Sequence, residues 1–96
     1  MAKGYWVTFY RSISDTDALA AYSKLATQAI ANGGGKFLAR GLPTKVFELG
    51  INNRMVVIEF ESIQKALATF EGAEYQTAAK ILDGKVERDV RLIEGV

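Results

Sequence analysis

Asn32-Gly33-Gly34-Gly35-Lys36-Phe37-Leu38-Ala39-Arg40-Gly41 is the segment on which the reading of this chain turns. Three consecutive glycines end what precedes them, and the run after them reads as a short apolar strand with one arginine inside it. Asn32 and Gly33 suit a helix C-cap, since both tolerate the left-handed conformation. Upstream, Ala18, Tyr22, Leu25, Ala26 and Ala29 recur at helical spacing. Ser14 stands where the N-cap of that helix belongs. Asp17, three positions on, completes a capping box, and the acidic residues suit the positive end of the dipole. Before the helix, Gly4–Ser12 is rich in aromatic and β-branched residues and reads as a strand. Its two faces, Tyr5/Val7/Phe9 and Trp6/Thr8/Tyr10, are both largely apolar, which places it in the middle of a sheet.

Downstream of Gly41, Pro43 interrupts the strand as a bulge or edge feature, because proline cannot donate to a ladder. Lys45–Leu49 is expected to resume extended structure, and Gly50-Ile51-Asn52-Asn53 has the chemistry of a hairpin turn into a third strand, Arg54–Phe60. Ser62 can cap a second helix with the stripe Ile63, Ala66, Leu67 and Phe70. Gly72 interrupts it, and Tyr75, Ala78, Ala79 and Leu82 carry on to Asp83-Gly84, so the segment reads as one kinked helix or two short ones. Glu87–Glu94 is the last strand. This β-α-β-β-α-β order predicts a single α+β domain over residues 1–96, a ferredoxin-like sandwich with two helices on one face of a four-stranded antiparallel sheet. The strands are apolar in both registers, so the sheet's other face should not be wet. Two copies packing sheet to sheet as a homodimer, in a dimeric α+β barrel, would bury it.

Composition removes several functions. Twelve basic residues against 11 acidic leave a net charge of +1, without the clustered Lys and Arg of a nucleic-acid binder or a polybasic membrane anchor. No apolar run approaches the roughly 20 residues needed to span a bilayer. Met1-Ala2-Lys3-Gly4 lacks the h-region of a signal peptide, so the expected location is cytoplasmic, with no nucleic acid and no membrane as partner. The chain has no cysteine and no histidine, which excludes disulfides, thiolate nucleophiles, His-based triads and most zinc chemistry. No metal and no cofactor are expected. Any catalysis falls to Asp, Glu, Lys, Arg, Tyr, Ser or Thr, poorer bases near neutral pH unless burial shifts them.

Lys3-Gly4-Tyr5-Trp6-Val7, Gly34-Gly35-Lys36-Phe37-Leu38-Ala39-Arg40-Gly41, Glu59-Phe60 and Glu74-Tyr75-Gln76 together resemble domain-of-unknown-function family 1330, of the dimeric α+β barrel superfamily. The resemblance implies two ferredoxin-like subunits forming a barrel. It implies no reaction, because the family carries none by name. Superfamily relatives include cofactor-free monooxygenases, isomerases and cyclases, haem enzymes and ligand-binding modules. A chain without histidine fits the haem branch badly.

Five residues are candidates for a site. Arg40, charged amid apolar neighbours in a strand, could anchor a carboxylate or polarised carbonyl through its fork of donors, or could be half of a structural ion pair. Glu59, between Ile58 and Phe60, could move a proton if burial raises its pKa, or could be the partner of Arg40. A turn near Gly50–Asn53 would put Glu48 on the same side of the hairpin as Val46, Val57 and Glu59, the nearest thing to an acid–base pair. Trp6 and Tyr10 could stack on a planar substrate, or could be core pieces with a bonded polar tip. Gly33-Gly34-Gly35-Lys36 is no phosphate loop, since Ile30 and Phe37 stand where such a loop needs a glycine and a Ser or Thr. These residues point to a cofactor-independent enzyme of oxygenase, isomerase or cyclase type acting on a small hydrophobic or aromatic molecule. The alternative is a non-catalytic ligand-binding or structural dimer.

Overall fold

The structure is a computed structural model that describes residues 2–96. Strand β1 (Gly4–Ile13) leads into helix α1 (Thr16–Asn32), followed by β2 (Lys36–Gly41), β3 (Met55–Phe60), α2 (Ile63–Glu71), α3 (Ala73–Ala79), a short 3-10 turn (Lys80–Leu82) and β4 (Val86–Glu94). The sheet runs β2-β3-β1-β4, all antiparallel, with β1 central as its two apolar faces require. This is the ferredoxin-like arrangement, with the second helical region divided at Gly72, where the backbone turns extended at ψ 155°.

The helices cover one face. Trp6 and Tyr10 of β1 and Val56, Ile58 and Phe60 of β3 meet Tyr22, Ala26, Ala29 and Ile30 of α1, Ala66 of α2, and Tyr75 and Ala78 of α3. Aromatic rings fix this core. Trp6 meets Tyr75 edge-on at 4.7 Å and Phe70 at 5.1 Å between centroids, the geometry that the ring quadrupole favours. The opposite face carries Tyr5, Val7 and Phe9 beside Met55, Val57, Glu59 and Ile93, and among the described residues no helix covers it.

Glycine earns its place twice between α1 and β2. Gly34 sits at φ 92° and donates to Ala31 O, while Gly35 donates to Ile30 O, which together form a Schellman closure of α1. The left-handed residue is thus Gly34, one beyond the expected cap pair. Gly35 is needed for a different reason. A Cβ there would lie 2.5 Å from Ile30 Cγ2 and 2.8 Å from Phe60 Cζ.

Four local expectations are corrected. Asp15, not Ser14, caps α1 by accepting from Ala18 N at 2.9 Å. The Ser14 hydroxyl instead donates to Lys85 O, tying β1 to the start of β4. Leu25 is exposed, because the buried stripe runs through Tyr22, Ala26, Ala29 and Ile30. Lys45–Leu49 is not a strand. Residues 42–54 form one long loop in which Pro43 cannot donate to a ladder and no strand lies alongside. Glu48 sits in its turn at φ 51°, off the sheet, so it shares no face with Glu59.

Gly35→Ala should destabilise the fold by about 1–3 kcal/mol, the usual cost of overpacking. Urea denaturation checks this, with the exposed Lys36→Ala as a control expected to stay within about 0.5 kcal/mol of the parent.

Candidate functional site

Between α1 and the sheet lies a small cavity that several strands and one helix build together. Alternation along β1 sends Trp6, Thr8 and Tyr10 to the helix side, and the register brings Ile58 and Val56 of β3 and Arg88 of β4 beside them. Arg54, just before β3, accepts from Tyr10 N through its carbonyl at 2.9 Å, which holds its side chain at the end of the cavity. From above, α1 contributes Leu19, Tyr22, Ser23, Ala26, Thr27 and Ile30. The enclosed space is about 20 Å³, room for one water.

The lining from β2 depends on a bulge. Phe37 is opposite Ile58 and Ala39 opposite Val57, so Leu38 is an extra residue. The slip puts Phe37 and Arg40 on the same side, although their odd spacing would otherwise send them to opposite faces. Arg40 stacks on Phe37 with its guanidinium carbon 4.2 Å from the ring centroid, and its Nη1 donates to Thr27 Oγ1 at 3.0 Å. It therefore spans the mouth from β2 to α1.

Arg88 organises the opposite end. Its Nη1 donates to Tyr22 Oη at 3.1 Å, its Nη2 to Tyr75 Oη at 2.9 Å, and the two phenols share a hydrogen bond of 2.7 Å. The guanidinium carbon also lies 5.2 Å from the Tyr22 ring centroid. Trp6 Nε1 donates to Thr8 Oγ1 at 2.9 Å. Arg54 Nε is buried without any hydrogen-bond partner. Among the described residues no carboxylate comes within 4.0 Å of Arg40, Arg54 or Arg88; the ion pairs are Asp89 with Arg91 and Arg11, Asp15 with Lys85, and Glu61 with Lys65.

The sequence-based candidates divide between the two faces. Trp6, Tyr10 and Arg40 lie on the helix side and line the cavity. Glu59 lies on the open face, where it accepts from Tyr5 Oη at 3.2 Å and stands opposite Lys36. Arg40 stands opposite Val56, on the other face, so the alternative in which Arg40 and Glu59 pair is not formed. Glu48 is out in the loop. The structure adds Arg54, Arg88, Tyr22 and Thr8. Tyr22 is visible in the sequence as a polar-tipped member of the helical stripe, and Arg88 as a charge within the last strand, but only the fold brings them together.

Burial pushes the Tyr22 hydroxyl well above its ordinary value of 10.0, the neighbouring Tyr75 adding to the effect and Arg88 opposing it. Burial raises Tyr10 likewise. Both phenols are therefore proton donors, not bases, at neutral pH.

Fold and cavity define an α+β protein of the ferredoxin-like class. The chain belongs to the family described as a domain of unknown function, DUF1330, which matches residues 3–96. No curated protein matches it. Among solved structures it is similar to RPA0582, a protein of unknown function from Rhodopseudomonas palustris, with 20% identity, a TM-score of 0.70 and coverage of 97% of this chain and 80% of that one. It is similar to SnoaB, a cofactor-independent oxygenase from Streptomyces nogalater, with 12% identity, a TM-score of 0.62 and coverage of 97% and 92%. A dimeric ferredoxin-like protein of unknown function from Thermobifida fusca gives 13% identity, a TM-score of 0.58 and coverage of 99% and 92%. At these identities the likeness is one of fold.

Tyr22→Phe removes the hydroxyl shared by Tyr75 and Arg88 and should cost about 1–3 kcal/mol of stability. The raised Tyr22 value also gives a pH dependence. Because the unfolded chain loses the proton first, the contribution is complete below pH 10.0 and declines as pH rises above it. Denaturation measured from pH 8 to 11 should show stability falling above about pH 10, with a shallower slope in Tyr22→Phe.

Proposed function

We propose that the protein is a homodimer whose helix–sheet cavity binds a small organic molecule, with Trp6 and Tyr10 in its wall and Arg40 across its mouth. The observation that carries this is the cavity's make-up. Apolar side chains from α1, β2 and β3 surround a few converging polar hydrogens, the usual character of a small-molecule site. Its enclosed volume of about 20 Å³ means that a ligand enters as Arg40 leaves Thr27 and the mouth widens.

Pairing of two copies is supported by the uncovered sheet face. Ile93 is 61% exposed there, and Leu49 of the loop, beside Phe9 and Met55, is 97% exposed. That much apolar surface is characteristic of an interface, and the Thermobifida fusca protein of the same fold is dimeric. In this reading Glu59 and Tyr5 belong to the subunit interface, and Glu48 belongs to the loop beside it.

Binding is favoured over proton-moving catalysis. Among the described residues, the cavity lining includes no carboxylate, and the chain has no histidine. Arg40 and Glu59 lie on opposite faces and cannot act as one acid–base pair. A cofactor-independent reaction in this cavity would need a substrate that gives up its proton without help from a wall residue.

Two measurements check the proposal. Light scattering should give the mass of two chains for the parent and one chain for Val57→Lys, which places a charge in the middle of the open face beside Val7 and Ala39. A parent that stays monomeric at high concentration contradicts the dimer. The chain's single tryptophan, Trp6, reports on the cavity. Indole or another small aromatic should change its fluorescence saturably, and Thr27→Phe, which blocks the mouth, should abolish that change.

A further inference from the structure

We infer that the cavity takes a compact organic anion, a carboxylate on a flat apolar body, gripped by Arg54 and Arg88 with Arg40 across the mouth; this rests on the small-molecule reading of the same cavity. The polar groups of the wall are donors with capacity to spare. Arg88 gives one hydrogen to Tyr22 Oη and one to Tyr75 Oη, and one phenol gives its own to the other across 2.7 Å. Those three donors on two oxygens leave one phenolic proton unplaced. Tyr22 is the member of the pair on the cavity wall, and with Tyr75 donating, its proton is free for a ligand. Thr8 Oγ1 accepts from Trp6 and Thr27 Oγ1 accepts from Arg40, so each hydroxyl still has a hydrogen to give. Arg54 Nε–H, already buried, has no acceptor.

Charge points the same way. Arg40, Arg54 and Arg88 line one small space, and among the described residues none has a carboxylate within 4.0 Å. Like charges gathered round one small space repel, most strongly between the half-buried Arg54 and Arg88, where solvent screens them less. A single carboxylate answers both deficits. It brings one negative charge and two acceptor oxygens, and guanidinium forks hold that group in-plane. Phe37, Val56, Ile58, Leu19 and Ile30 leave the remainder of the wall apolar, which suits a ring or conjugated chain behind the carboxylate. A bare phosphate, with polar oxygen on every side, would leave oxygens facing these side chains without a donor. Of the three arginines, Arg40 is the exposed one, held at the mouth by Thr27 and the Phe37 ring, so it is the one that swings to admit the ligand.

The test is calorimetric titration of the whole protein with benzoate, its uncharged counterpart benzamide, and inorganic phosphate, with Trp6 fluorescence as a second readout. Benzoate should bind at least about tenfold more tightly than benzamide, a ratio that one good charged contact readily supplies. Arg54→Met and Arg88→Met should each abolish that preference, benzoate then binding no more tightly than benzamide does to the same variant. Unliganded Arg54→Met should melt at a higher temperature than the parent, since it removes an unpartnered charge; this variant keeps the test decisive if Arg88→Met does not fold. Equal binding of benzoate and benzamide would overturn the anion assignment and leave the small-molecule cavity standing. Tighter binding of phosphate than of benzoate would overturn the carboxylate in favour of a phosphate ligand. If neither aromatic probe binds or changes Trp6 emission, both the anion and the cavity reading fall.

Discussion

A β-strand changes face at every residue, and β2 breaks that alternation once, at Leu38. Before the bulge Phe37 faces the helices, and after it Arg40 does too, although the two are three positions apart. Without the extra residue Arg40 would lie on the open face opposite Met55, and the cavity would lose both its stacked cation and its bridge to Thr27. The glycines just upstream make this possible. Gly34 and Gly35 close α1 tightly enough for β2 to begin at once, with the Ile30 and Phe60 side chains packed against the turn.

From that slip follows a division of labour between the faces of the sheet. The helix side holds the aromatic core around Trp6, whose Nε1 donates to Thr8, and at its edge the polar groups of Arg88, Tyr22 and Tyr75 bond to one another. Such a network is costly to build, since each buried polar group must find a partner. Here it is satisfied except at its inward-facing hydrogens, which is where a ligand would complete it. The open side has the opposite character. There Asp89 pairs with Arg91 and Arg11, Glu59 accepts from Tyr5, and apolar residues such as Phe9 and Ile93 are exposed. One face asks for an acceptor and the other for a second apolar surface.

The order of elements could be read from the chain because each boundary has a local chemical cause. Ser62 caps α2 through Lys65 N, Gly72 breaks the helical region, and the glycines stop α1. That Trp6 and Tyr10 share a face could be read because β1 alternates without a slip until Tyr10. Arg40 is recognisable in the sequence as unusual, but the face it takes is not, since no local signal tells Leu38 to bulge. Glu48 was misplaced because Lys45–Leu49 has strand-like composition but no strand beside it. Arg54 and Arg88 come from opposite ends of the sequence's second half and meet only when β1 pairs with both β3 and β4. Their common site is a product of tertiary register, which residue spacing along one chain does not encode.

The account rests on three arginines sharing one cavity on the helix side of the sheet. A crystal structure of the protein grown with 4-iodobenzoate tests this directly, because iodine can be located by its anomalous scattering. The account predicts iodine beneath α1 among Phe37, Ile58 and Leu19, with the carboxylate between Arg54 and Arg88 and Arg40 turned off Thr27. Iodine on the open face beside Tyr5 and Glu59, with the helix-side cavity unchanged, would contradict it.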